Sequence, residues 1–172
     1  MSTDTILSTT PHDLSPEQLQ DYFRSFHTAL QPQRQAILKS LLNSPEALVD
    51  HYIKFCQNHY CEVGVANLHF LLSHPRFAHR TKVLDALAVL RSPRSIDFLY
   101  QYSTNCNLLL KKKILQVLGS FPQTKAHPIL LEYLIQDEVE LKQLALKIIL
   151  KIESMDDSEA LENQLRSPFP EI

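Results

Sequence analysis

Between Ala126 and Ile152 the chain reads AHPILLEYLIQDEVELKQLALKIILKI, two helix-length segments parted only by Asp137–Glu138. Its apolar residues outnumber what the single core-facing stripe of an amphipathic helix uses. A segment that is apolar on more than one face has to be covered from more than one side, and the rest of the chain supplies segments of the same kind. Apolar residues recur at spacings of three and four through Val83, Leu84, Leu87 and Leu90, through Leu110, Ile114, Leu115 and Leu118, and through Leu141, Leu144, Ala145, Ile148 and Ile149. No useful length alternates with period two. Only Gly64 and Gly119 occur in 172 residues, too few for the turns of a β-rich fold of this size. Ten prolines punctuate instead, as in Ser44-Pro45, His74-Pro75, Ser92-Pro93 and Phe121-Pro122, at intervals that suit helix ends. The pattern predicts an all-α protein.

Residues 1–13 read as a polar N-terminal arm and 168–172 as a tail, with one α-solenoid domain over 14–167. Ser15-Pro16-Glu17 has the form of an N-cap, a proline at the first helical position and an acid in the first turn. Helices are expected near 16–29, 32–43, 45–58, 61–73, 78–91, 94–104, 107–120, 124–136, 138–152 and 157–166. Laying the longer helices over one another exposes a repeat. Leu110-Lys111, Ile114-Leu115 and Leu118 match Leu141-Lys142, Ala145-Leu146 and Ile149 at an offset of 31 residues, and Ala86-Leu87 and Leu90 match Ile114-Leu115 and Leu118 at 28. A helix pair repeated about every 30 residues predicts a stack of about five pairs, since neither helix of a unit can bury its apolar face alone.

The pattern Ala126-x-Pro128-x-Leu130, Leu134, Asp137, Leu141-Lys142 and Ala145-Leu146 resembles a HEAT-like repeat of the phycobilisome-lyase type. Residues 93–120 follow it in part, with Cys106 where an aspartate is usual, and 16–58 share only the helix-pair spacing. The resemblance implies a right-handed α-α superhelix, armadillo-like in architecture, in which the second helix of each pair lines a concave surface. It also implies two functions seen among such proteins, attachment or detachment of bilin chromophores and recognition of damaged DNA by glycosylase-like enzymes. Fold alone does not carry either one.

Motifs for chemistry are sparse. No phosphate-cradling glycine loop, HExxH helix or nucleophile elbow occurs. Cys56 and His59 could in principle form a catalytic pair, but a cysteine within Ile53-Lys54-Phe55-Cys56 reads as a small core residue. Histidines gather between His51 and His79, yet zinc needs two close ligand pairs and only Cys56-x-x-His59 offers one. Neither a catalytic residue, a metal nor a cofactor is assigned. An odd count of three cysteines without framework spacing fits free thiols in the cytoplasm, and no apolar run reaches the roughly 20 residues of a membrane-spanning helix.

Charge is segregated. Residues 76–125 hold nine basic and two acidic side chains, a net +7, against −9 for the remainder. A basic middle between acidic ends favours an acidic partner. Under the HEAT-like resemblance, Arg80 and Lys82 would share the concave face with Lys111, Lys112 and Lys113, and Tyr100 would add an apolar anchor with a polar tip. The competing expectation is that these lysines pair with acids of their own solenoid and that the tyrosine packs between repeats. A chain without tryptophan and with a pI near 6.4 reads against nucleic acid as the partner. The expected function is a non-catalytic adaptor that binds a protein with an acidic surface.

Overall fold

A computed structural model of the chain describes Pro11, residues 14–121 and residues 123–166, with the side chains of those residues except at 123–124 and 155–166. The expected arm 1–13, Pro11 apart, and the tail 168–172 lie outside the described residues, as does Pro122. Every described element is a helix: α1 (Pro16–Thr28), α2 (Gln31–Leu42), α3 (Glu46–Asn58), α4 (Glu62–Ser73), α5 (Arg80–Leu90), α6 (Arg94–Ser103), α7 (Leu108–Leu118), α8 (Gln123–Leu134) and α9 (Val139–Arg166). The protein is all-α, and the first eight helices lie within two residues of their expected bounds.

Local chemistry explains several of those bounds. Ser15 Oγ accepts from the Gln18 amide at 3.3 Å while Gln18 Oε1 accepts from the Ser15 amide at 2.9 Å, a reciprocal cap ahead of Pro16. Asn107 Oδ1 caps α7 by accepting from the Leu110 amide at 2.9 Å. Helix α5 stops where Arg91 turns left-handed at φ 47°, just before Ser92-Pro93. One expected boundary is absent: 138–152 and 157–166 form the single 28-residue helix α9. From Val139 to Arg166 there is neither glycine nor proline, so nothing removes a backbone donor or favours a left-handed stop.

The chain divides into two compact units, Met1–Phe98 and Leu99–Ile172, with the division inside α6. In the first unit alternate helices pack on one another, α1 on α3 on α5 and α2 on α4, and so do the successive pairs α1–α2 and α4–α5. Its core opens on an aromatic cluster in which the rings of Phe23 and Phe26 meet Tyr52 at 5.0 and 5.6 Å. It continues through Leu68, Leu71 and Leu72 of α4 and Val83, Leu84 and Leu87 of α5, all fully buried. In the second unit α7 and α8 both pack on α9. There Leu115, Leu118, Leu130 and Tyr133 are buried with Leu141, Ala145 and Ile149 of α9. Several side-chain hydrogen bonds between helices or their caps, within each unit, link residues 26 to 34 positions apart.

The excess of apolar residues in Ala126–Ile152 is only partly used. Leu141, Ala145 and Ile149 line the covered face of α9. Val139, Leu146 and Leu150, at 63%, 48% and 55% exposure, lie on another face, since steps of seven and four bring residues back to nearly the same side of a helix. Leu131 of α8 and Ile135, just past its end, are 45% and 82% exposed.

Candidate functional site

The basic residues singled out in the sequence are held by their own chain. Arg80 opens α5 and its Nη2 donates to the carbonyls of His74 at 3.2 Å and Pro75 at 2.6 Å, clamping the turn before the helix. Its Nε is buried without a partner. Lys82 Nζ reaches Asp50 at 2.7 Å and Glu46 at 2.5 Å, and these hydrogen bonds raise its pKa, Asp50 first. In the second unit Lys111 Nζ donates to both oxygens of Glu138 at 3.3 Å, and Lys112 pairs with Glu140. Lys113 lies half-buried on α7. The Tyr100 hydroxyl donates to Glu132, which raises its pKa, and its ring meets Tyr133 edge-on at 6.4 Å. Partly exposed pairs of this kind add about 0–1 kcal/mol each to stability. Their larger effect is to point the ammonium groups of Lys82, Lys111 and Lys112 at carboxylates of the same unit.

The histidines and cysteines are arranged differently from their sequence order. His59 stacks on Phe55 at 4.6 Å, and its Nδ1 lies 3.3 Å from the Phe55 carbonyl, so Cys56-x-x-His59 does not converge. Cys61 instead caps α4, its Sγ accepting from the Gly64 amide at 3.3 Å, and lies 3.1 Å from His27 Nδ1. His27 Nε2 is 3.0 Å from the Tyr52 hydroxyl, which accepts from Asn67 Nδ2 at 2.9 Å. Burial, then the charges of Arg34 and His59, bring His27 down to about 4, so its ring is neutral at neutral pH, donating from one nitrogen and accepting at the other. Gly64 gives this cluster room, because a Cβ there would stand 3.2 Å from the His27 ring and 3.3 Å from the sulfur of Cys56. Among the described residues, no three His, Cys, Asp or Glu side chains gather where they could hold a metal ion.

The Asn67 end of this network forms the floor of a groove of about 380 Å³ between α2 and α4. Arg34 stands on the α2 side, half-buried, its guanidinium without a hydrogen bond or ion pair to any described residue. Phe70, 37% exposed, and Leu38 supply an apolar wall. Arg94, at the start of α6, reaches the rim and pairs with Glu62 at 2.7 Å. Asn67 itself is only 4% exposed. Its Nδ2 is committed to Tyr52, while its Oδ1 has no hydrogen-bond partner among the described residues.

Sequence reasoning passed over this groove because Arg34 lies outside the basic middle of the chain. The one local signal was Asn67, a polar residue set in the apolar run from Val63 to Leu72. No family model, curated protein or solved structure matches the chain.

Proposed function

We propose that the chain is a non-catalytic adaptor, a HEAT-like solenoid of stacked helix pairs that binds a partner protein with an acidic surface. The observation that carries this reading is the uncovered apolar face of α9, with Val139, Leu146 and Leu150 at 63%, 48% and 55% exposure. A helix that already covers its neighbours with Leu141, Ala145 and Ile149 needs no second apolar stripe for its own fold, and such stripes on a surface mark interaction sites. Alternate helices packing on one another, with polar links 26 to 34 residues apart, support the stacked arrangement. The +7 stretch acts at longer range: with Lys82, Lys111 and Lys112 engaged locally, it steers an acidic partner while apolar side chains make the contact.

The test is quantitative affinity capture with the full chain, comparing wild type with Leu146→Ser/Leu150→Ser. Exposed positions of this sort change folding stability by less than about 0.5 kcal/mol, so melting temperature should hold while a reproducible partner is lost. Capture that is unchanged in the double variant contradicts the reading. Charge reversal at Lys111 is the poorer probe, since it sets a second carboxylate against Glu138 and perturbs the fold as well as the surface.

A further inference from the structure

The groove between α2 and α4 offers polar groups of two kinds that no described residue engages. Arg34 presents five N–H donors in a planar fork that no described residue engages, from a side chain that lines the groove. Asn67, held by Tyr52 through Nδ2, lines the same space, and its Oδ1 accepts from no described residue. A ligand that satisfies both must bring an anion and a hydrogen-bond donor, and must cover Phe70 and Leu38 with apolar atoms.

We propose that this groove binds an extended acidic segment of a protein, its carboxylate on Arg34, a backbone N–H on Asn67 Oδ1 and an adjacent apolar side chain against Phe70. The inference rests on the protein-binding reading above and names where part of that partner would dock. The charges around the groove select a monoanion. Arg34 and Arg94 contribute two positive charges and Glu62 one negative, so the rim carries a net +1 and Glu62 opposes a dianion such as a phosphate monoester. An Asp or Glu side chain matches both that charge and the forked geometry of a guanidinium. The 380 Å³ volume is at the low end of ligand sites, which run from about 300 to 1,000 Å³, room for a few side chains and no more. A peptide also supplies what a lone carboxylate cannot, an N–H next to its anion and an apolar neighbour.

The experiment is selection of randomised displayed heptapeptides on the full chain, then titration of the enriched peptide with both ends capped, followed through the Arg34 and Asn67 side-chain NMR signals. Enriched sequences are expected to place Asp or Glu within two residues of Leu, Ile or Phe. Arg34→Gln should weaken the capped peptide about tenfold or more, as removal of one member of a desolvated charge pair does. Phe70→Ala should weaken it as well, and Lys39→Gln, on α2 but outside the groove, should leave it unchanged. Enrichment of peptides without acids, no enrichment at all, or equal affinity for Arg34→Gln and wild type overturns the proposal. So does displacement of the peptide by an equal concentration of inorganic phosphate, which would make the groove a simple anion site. If affinity capture still yields a partner that Leu146→Ser/Leu150→Ser loses and Arg34→Gln keeps, the groove is overturned and the protein-binding reading stands.

Discussion

His27 and His69 are kept uncharged by the fold in the pH range where an ordinary histidine titrates. Burial leads the shift in both, bringing each to about 4 from an ordinary value of 6.5. His27 is held between Cys61 and Tyr52, and His69 lies 2.8 Å from Ser95 Oγ with its ring stacked 4.0 Å from Phe98. The folded chain binds fewer protons than the unfolded chain between these two values, so stability rises with pH across that window. The neutral rings contribute fully above about pH 6.5, and their contribution is lost progressively as pH falls toward about 4. Urea unfolding at pH about 7 and about 4.5 should show a smaller acid loss for His27→Gln/His69→Gln than for wild type. The difference should be on the order of 1–3 kcal/mol, discounted because both rings are partly solvated. Equal losses would mean that the rings titrate freely in the folded protein. None of this was readable from the histidine spacing. The cap at Ser15 was legible because its partners are three residues apart, whereas His27 finds Cys61 34 residues away, and only the register between helices decides that contact.

At the scale of elements, the packing of α7 on α9 hangs on an absent side chain. Gly119 ends α7 with φ −64° and ψ −11°, a conformation open to any residue, so its role is spatial. A Cβ there would stand 2.5 Å from Ile148 Cγ2 of α9. Gly119→Ala should therefore destabilise the protein by about 1–3 kcal/mol, the usual cost of overpacking. Ile148→Ala in the same chain should recover part of that loss, so the double variant is less destabilised than the sum of the two singles. Additive effects in denaturant titrations would show that the helices do not meet at this point. Element type and position were legible for the first eight helices, because apolar spacing, prolines and caps are local signals. The break expected between 152 and 157 was misplaced because Ser154 to Asp157 looks polar enough for a turn, yet it lacks the glycine or proline that would enforce one. The candidate groove was less legible than the helices. Arg34 and Asn67 lie 33 positions apart and acquire meaning only once α2 packs on α4.

For the molecule as a whole, the claim that joins sequence to function is that no helix pair buries its apolar face alone. In the proposed adaptor, the property that would stack the pairs is also the one that would leave apolar surface at their margins for a partner. Segregated charge was visible in the sequence, and so was the expectation that the lysines pair with acids of their own chain, but the particular partners of Lys82, Lys111 and Lys112 were not, since each lies 27 to 36 residues away. The covering of one pair by the next can be measured directly in a chain ending at Asp137, which lacks α9. Leu118, Leu130 and Tyr133, now 0–2% exposed, lose the helix against which α7 and α8 pack. Circular dichroism and sedimentation of this truncation should report helix loss beyond the deleted residues, together with self-association. A soluble monomer with the wild-type melting temperature, its helix content reduced only by the missing segment, would contradict the account.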